Sequence, residues 1–241
     1  MLPTFPKIEP QSITHRVTNA LKEALYEGSL KPGDIIVERE IARQMKVGTP
    51  AVREALIALQ IQGFVRRMPN VGTSVTVFSK DEVRELYLLR VELELLAFQW
   101  ARPQITEAEL SDLRRLVGLV VRAGERGDRR AFLERDYEFH CQCWSLSRNA
   151  YLIDTLQRLM APLFVFGVLA SRAPLTATMG YEHYELIDFL QNLQEPQFTS
   201  AVRKTLSTIS SRWLSVFGMA SAATNNLDQE EKTGDCAGHN R

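Results

Sequence analysis

The ten residues VGTPAVREAL, Val47–Leu56, predict the start of a helix that carries one isolated cation. Pro50 suits the first turn of a helix, and Thr49 directly before it is a favourable N-cap. Val52 and the leucine four residues later share one face, which the pattern predicts to be buried. Arg53 has no acidic residue three or four positions away in its own helix, so its partner must lie elsewhere.

The residues around this stretch predict a winged helix-turn-helix over residues 12–78. Apolar spacing and turn residues predict three helices, at Ile13–Tyr26, Val37–Met45 and Pro50–Gln62. Two short strands, Phe64–Arg67 and Thr73–Val77, flank the turn at 69–72 and predict a hairpin. Three helices followed by a hairpin are typical of a DNA-binding module.

The first turn of the third helix is predicted to contact the bases, because a recognition helix enters the major groove with its N-terminal residues. Arginine is the usual partner of guanine there, and basic residues on neighbouring elements hold phosphates. The predicted DNA contacts are Arg39, Thr49, Pro50, Arg53, Arg66, Asn70 and Gly72. The alternative for Arg53 is a structural ion pair with Glu38 or Glu40 on the preceding helix.

The amino-acid composition of the 241-residue chain is typical of a globular protein, and no apolar run is long enough to predict a membrane span. Its formal net charge is zero, so any attraction to DNA must come from local charge on one face. Three cysteines form no disulfide framework, which favours the reducing cytoplasm. Residues 1–11 are predicted to be flexible without a signal peptide, and residues 219–241 to be a disordered tail.

The remainder of the chain predicts a second domain, 83–218, joined to the first by a polar linker at 79–82. Six stretches of helical periodicity are punctuated by proline, glycine and asparagine, with no convincing strand. The predicted fold is therefore mainly α: a winged helix-turn-helix followed by an all-α bundle of about six helices.

Asp136 and His140 are candidate metal ligands, because an i, i+4 spacing puts both side chains on one helix face. His183, on a later helix, is the third candidate. Carboxylate with imidazole suits Zn, Ni, Mn or Fe. The alternative is a hydrogen-bonded pair without metal. Cys141 and Cys143 flank the same histidine, but residues two apart face different ways, which favours small buried thiols.

The N-terminal motifs resemble those of GntR-type bacterial transcription regulators. The resemblance covers residues 13–77 and includes L-x-P-G-D, E-x-E-I-A, P-x-V-R-E-A-L and G-F-V-x-R…N-x-G. It implies DNA contacts at Arg39, at the turn before the recognition helix, at Arg53 and around Asn70 and Gly72. This chain departs from the family at Thr49, where an arginine is usual, so its operator cannot be inferred from relatives.

The second domain is similar to the FCD-type effector domain of the FadR branch of that family. The matching marks are L-x-x-L-R-x-x-L-E, D-x-x-x-H at Asp136–His140, N-x-x-L at Asn149, and Glu-His before a later helix. The resemblance implies a divalent metal held by one aspartate and three histidines, but Thr205 occupies the fourth position. A weakened three-ligand site is expected, with a metal-free cavity as the alternative.

The effector expected in this domain is a small organic acid. Arg90 is a candidate second effector contact, because a guanidinium can form two parallel hydrogen bonds with a carboxylate. Asn149 is a further candidate effector contact. The alternative for Arg90 is an ion pair with Glu94, four residues on.

The sequence thus predicts a cytoplasmic, homodimeric DNA-binding regulator, by resemblance a repressor, that is controlled by an effector and is not an enzyme. Two rivals remain open. One is a metal-dependent enzyme with a fused winged helix, which lacks a nucleophile or base with a partner at useful spacing. The other is a winged-helix protein-interaction module that binds no DNA.

Overall fold

The computed structural model describes residues 12–68, 72–170 and 176–216. The predictions for Asn70, for the flexible start and for the disordered tail lie outside this part of the chain. The described helices are α1 Ile13–Tyr26, α2 Glu38–Met45, α3 Thr49–Ile61, α4 Lys80–Ala101, α5 Glu107–Glu125, α6 Arg129–Ser145, α7 Ala150–Ala170, α8 Ala177–Asn192 and α9 Gln197–Val216. The strands are β1 Ile35–Ile36, β2 Val65–Met68 and β3 Gly72–Val75. The mainly α fold is confirmed.

The N-terminal module is a winged helix-turn-helix whose core lies between α1 and α3. Leu21 and Leu25 of α1 pack with Val52 and Leu59 of α3, and all four are buried. The sheet has the order β1-β3-β2 with antiparallel pairs. The sequence reading missed β1, since two residues are too few to show the alternation that identifies a strand.

Two local predictions in this module were wrong. Gly48, not Thr49, is the N-cap of α3, and no side chain caps that helix end. The buried stripe of α3 ends at Leu59, and the apolar Ile61 beyond it is 57% exposed. The residues predicted as a linker at 79–82 start α4 instead. Ser79 and Glu82 form a capping box, in which each side chain bonds the other's backbone N–H, so the helix begins at Lys80.

The second domain is built from the six helices α4–α9 of the described chain. Helix α5 packs against α6 and α8, and α4 packs against α9. Gly180 of α8 lies so close to α5 that an added Cβ would come within 3.0 Å of Val121. Helix α5 thus holds both α8, which carries His183, and α6, which carries the other two candidate metal ligands. No helix among the described residues has the length and apolar character needed to cross a membrane.

The two domains share a hydrophobic core at the end of α7. Phe166 is buried against the winged helix, with its ring 6.3 Å from that of Phe64 and 6.1 Å from that of Phe78, measured between centroids. Val165 belongs to the same cluster. Helix α7 therefore joins the DNA-binding module to the helical domain through side-chain packing, in addition to the covalent connection from β3 to α4.

Replacing Phe166 with alanine is expected to lower the free energy of unfolding by about 3–5 kcal/mol, because it empties a ring-sized space in that shared core. Tyr151→Ala is the matched control, since Tyr151 is an aromatic residue of the same helix that is 87% exposed. Urea unfolding followed by circular dichroism measures both variants. Equal unfolding midpoints for Phe166→Ala and the control would contradict the shared core.

Candidate metal centre and nucleic-acid interface

The structure brings the three candidate metal ligands together in the core of the helical domain. Asp136 and His140 lie one turn apart on α6, and His183 faces them from α8. One ligand atom from each lies within 4.8 Å of the others, and none of the three residues is more than 2% exposed. The i, i+4 prediction for α6 and the assignment of His183 to the same cluster are thus matched by the geometry.

Each histidine is oriented by a hydrogen bond at Nδ1. His140 Nδ1 lies 2.9 Å from Oε1 of Glu94, and His183 Nδ1 lies 3.1 Å from the carbonyl oxygen of Gly180. A carbonyl oxygen and an ionised carboxylate only accept, so each Nδ1 carries the hydrogen and donates it. In the neutral form of each histidine Nε2 carries a lone pair, and the two Nε2 atoms face each other at 3.3 Å.

Asp136 completes a cluster of electron-rich atoms. Its Oδ1 lies 3.0 Å from His183 Nε2, yet neither carboxylate oxygen has a hydrogen bond of acceptable geometry among the described residues. Burial opposes ionisation of Asp136, but His183, His140 and Arg90 hold its pKa below the ordinary value. Burial disfavours a proton on His183, but Asp136 raises its pKa on balance. The cluster therefore requires a cation, either a proton on His183 or a metal.

Arg90 and Glu94 of α4 form a buried network behind this cluster. Arg90 Nε donates to Glu94 Oε2 at 3.0 Å, so the ion-pair alternative of the sequence analysis is present. Arg90 Nη2 also lies 2.9 Å from His140 Nε2, while its buried Nη1 has no hydrogen-bond partner in the part of the chain that the structure describes. Trp144 Nε1 donates to Glu94 Oε1 at 2.7 Å.

Glu94 is the residue whose importance sequence reasoning missed. It accepts from Arg90 and Trp144 and orients His140. Burial opposes its ionisation, but the charge of Arg90 and the hydrogen bonds from His140 and Trp144 lower its pKa. Metal-binding histidines commonly donate their second ring nitrogen to such a carboxylate. The motif L-x-x-L-R-x-x-L-E contained Glu94, but only as the helical neighbour of Arg90.

Other predicted residues lie apart from the three ligands. The Thr205 hydroxyl is 3.3 Å from Oε2 of Glu185. Asn149, predicted to contact the effector, instead accepts a hydrogen bond from the backbone N–H of Leu152 and so caps α7. Cys143 is buried and Cys141 half-buried; burial raises the pKa of both, so they are thiols outside the cluster.

A narrow cavity of about 10 Å³ adjoins Asp136 and His183, which is room for about one water molecule. Ile209 and Arg212 of α9 form its far wall. Arg212 is ion-paired with Glu182, the residue before His183. This space is too small for a ligand larger than water.

The N-terminus of α3 and its surroundings are exposed as a recognition surface requires. Arg53 is 55% exposed and donates from Nε and Nη2 to Oε2 of Glu38, at 3.1 and 3.0 Å. Arg39 and Pro50 are exposed and Thr49 is half-buried. The structural alternative for Arg53 is thus realised, with more than half of the side chain still open to a ligand.

The wing shows one competing contact and one open position. Arg66 donates from Nη2 to Oε1 of Glu82 at 2.7 Å, which ties the wing to the start of α4. Gly72 has φ +110° and open space around it, so the backbone there is free to approach a groove.

Glu94→Gln is expected to destabilise the protein by about 3–5 kcal/mol, because it leaves the buried charge of Arg90 unbalanced. Glu92→Gln is the matched control: Glu92 is two residues away on the same helix, 55% exposed, and pairs with Arg203 at the surface. Such an exposed pair contributes about 0–1 kcal/mol. Thermal unfolding of both variants at pH 7 measures the difference, and equal melting temperatures would show that the network is not required.

Comparisons with known proteins agree with this architecture. Residues 13–75 match the family described as bacterial regulatory proteins, gntR family, and residues 85–208 match the FCD domain. The chain is 28% identical over 158 residues to the HTH-type transcriptional regulator McbR of Escherichia coli, covering 66% of this chain and 72% of that protein. It is 34% identical over 129 residues to the Nta operon transcriptional regulator of Aminobacter aminovorans, covering 53% of this chain and 60% of that protein.

Solved structures show the same fold. The structure of E. coli McbR/YncC superposes with a TM-score of 0.69 at 24% identity and covers 86% of this chain and 98% of that one. A GntR regulator from Rhodococcus sp. RHA1 also gives 0.69, at 23% identity, and covers 88% and 100%. The relatives are transcriptional regulators and not enzymes. The chain therefore belongs to the GntR family of bacterial regulatory proteins, as a DNA-binding transcriptional regulator with an FCD domain.

Proposed function

We propose that this regulator acts in the cytoplasm as a homodimer on a palindromic operator, and that a small organic acid controls its affinity. The acid binds in the FCD domain with the help of a divalent metal. The polarity we propose is a repressor that its effector releases. A two-fold dimer presents two copies of α3 to two half-sites. Exposed Leu88 and Leu89 on α4, 61% and 45% accessible, offer apolar surface for a partner.

The observation that carries the metal is the pair of orphaned oxygens on Asp136. Ligand atoms bonded to one metal at about 2.0–2.1 Å stand about 3.0 to 3.4 Å apart in octahedral or tetrahedral geometry. The contact of His183 Nε2 with Asp136 Oδ1 is 3.0 Å, and that with His140 Nε2 is 3.3 Å. The third separation, between Asp136 and His140, is within 4.8 Å, so the cluster would tighten on a metal. The donor types suit Zn, Ni, Mn or Fe.

Three protein ligands leave coordination positions open for an effector carboxylate. A bound divalent metal would supply a Lewis-acidic contact for its oxygens. Arg90 contributes the second effector contact through its buried Nη1, which has no hydrogen-bond partner among the described residues. Thr205, whose hydroxyl faces Glu185, adds no histidine nitrogen, so we expect weaker metal retention than in a four-ligand site.

The DNA-reading role rests on the exposed first turn of α3. Glu38 holds the guanidinium of Arg53 in a fixed position, which reduces the entropy lost when that side chain meets a base edge. An exposed ion pair of this kind contributes about 0–1 kcal/mol, which a bidentate contact to guanine exceeds.

Arg53→Ala is expected to weaken binding to the protein's own promoter region by about 1–3 kcal/mol, through loss of a base contact. Fluorescence anisotropy at fixed salt concentration measures the affinity for promoter DNA and, for comparison, the affinity for random DNA. Arg115→Ala is the control, because it removes the same charge from the surface of the FCD domain, where Arg115 pairs with Asp112. Unchanged promoter affinity in Arg53→Ala would favour the protein-interaction module instead.

Elemental analysis of untagged protein purified without chelator is expected to find about one divalent metal per chain. His183→Ala is expected to lose it, since two donors on one helix remain. His15→Ala, at an exposed histidine of α1, is expected to keep it. Metal-free wild-type protein would mean that Asp136 and His183 form a plain ion pair and that side chains alone hold the effector.

A further inference from the structure

A second and much larger cavity lies in the seam between the two domains. Its volume is about 430 Å³, and Tyr26 of α1 faces Leu133 and Tyr137 of α6 and Phe164 and Val165 of α7 across it. The cavity is partly open to solvent, and its volume falls in the range of about 300–1,000 Å³ that small-molecule pockets measure. We call this cavity the seam pocket.

The charges at the seam pocket cancel one another. Two acidic and two basic side chains line it. Arg130 donates to Glu23 of α1 at 3.1 Å and to Glu134 of its own helix at 2.8 Å, so it bridges the domains at the rim. The lining offers no excess of either charge to a ligand, whereas an organic acid or a cation would require one.

The inner wall of the seam pocket is aromatic and aliphatic. The rings of Tyr137 and Phe164 stand 5.2 Å apart at a tilt of 57°. Tyr26 brings a phenol from the opposite domain, and its burial raises its pKa, so it remains a neutral hydrogen-bonding group. Such walls favour flat aromatic ligands, which gain from offset or edge contacts with rings.

We propose that the seam pocket is a second ligand site, distinct from the metal centre, for an uncharged aromatic molecule with at most one or two polar groups. Its occupant contacts α1 of the DNA-binding module together with α6 and α7 of the FCD domain. A ligand that bridges two domains stabilises the arrangement in which both walls are present. Occupancy of this site thus biases how the winged helix is held.

The seam pocket also shares a wall with the metal centre. The ring of Phe164 lies 5.6 Å from that of His140, and the Arg90 guanidinium carbon lies 5.3 Å from the centre of the Phe164 ring. One side chain therefore borders both sites. Ligands at the two sites are coupled wherever one of them shifts this ring.

The test uses the full-length protein and N-phenyl-1-naphthylamine, a neutral aromatic dye that fluoresces in apolar surroundings. We expect saturable binding of about one dye per chain. Leu133→Trp, which fills the seam pocket, is expected to weaken binding about tenfold or more. Tyr151→Trp adds a similar ring at a fully exposed position of α7 and is expected to change nothing. Added Zn²⁺ is expected to leave the stoichiometry at about one dye per chain, which separates this site from the metal centre.

Glu134→Trp provides a second variant at the exposed rim, in case the core substitution fails to fold. It is expected to cover the mouth of the seam pocket and weaken dye binding likewise. Two results would overturn the proposal. One is the absence of saturable binding to the wild type. The other is equal dye affinity in the wild type and in a folded Leu133→Trp or Glu134→Trp variant.

Discussion

The buried carboxylate of Asp136 is the constraint around which the helical domain is arranged. An ionised carboxylate is costly in a low-dielectric interior and must face positive charge, which His183 Nε2 supplies or a metal would supply at 3.0 Å from Oδ1 or closer. Helices α6 and α8 therefore place His140 and His183 against it, each turned by a bond at Nδ1. Helix α4 adds Glu94 behind His140. Because the cluster joins side chains from α4, α6 and α8, it fixes these three helices relative to one another.

Three consecutive residues of α7 connect this cluster to the DNA-binding module. Phe164 borders the metal centre through His140, Val165 lines the seam pocket and joins the winged-helix core, and Phe166 packs against Phe64. Close-packed side chains transmit displacement because few gaps absorb it. A displacement caused by binding at the Asp136–His140–His183 cluster would therefore reach side chains that pack against the winged helix. The arrangement supplies the physical link that an effector-controlled regulator needs.

Local patterns in the sequence were enough to predict most of the fold and part of the site. Helix bounds followed from apolar periodicity and turn residues, and the i, i+4 spacing of Asp136 and His140 placed both on one face. His183 joined them as a candidate through chemistry and resemblance. The features that the sequence analysis missed depend on contacts between residues distant in sequence, or on a helix-start motif that was not recognised. The bond between Glu94 and His140 spans 46 positions.

The capping box at Ser79 could have been found from the sequence alone, because Ser-x-x-Glu before an apolar run is a helix-start signal. The two-residue strand β1 could not, since its pairing with β3 is set by tertiary structure. The seam pocket was equally hidden. It arises from the docking of two domains, and no local pattern in α1, α6 or α7 marks the residues that line it.

The most direct test of the central claim is the melting temperature of chelator-stripped protein with and without Zn²⁺. We expect a saturable rise, because a metal that binds only the folded state adds about 2.7 kcal/mol of stability at a hundred times its dissociation constant. The rise should be absent in Asp136→Asn. A melting temperature that Zn²⁺ leaves unchanged in the wild type would contradict the claim that this buried cluster is built to hold a metal.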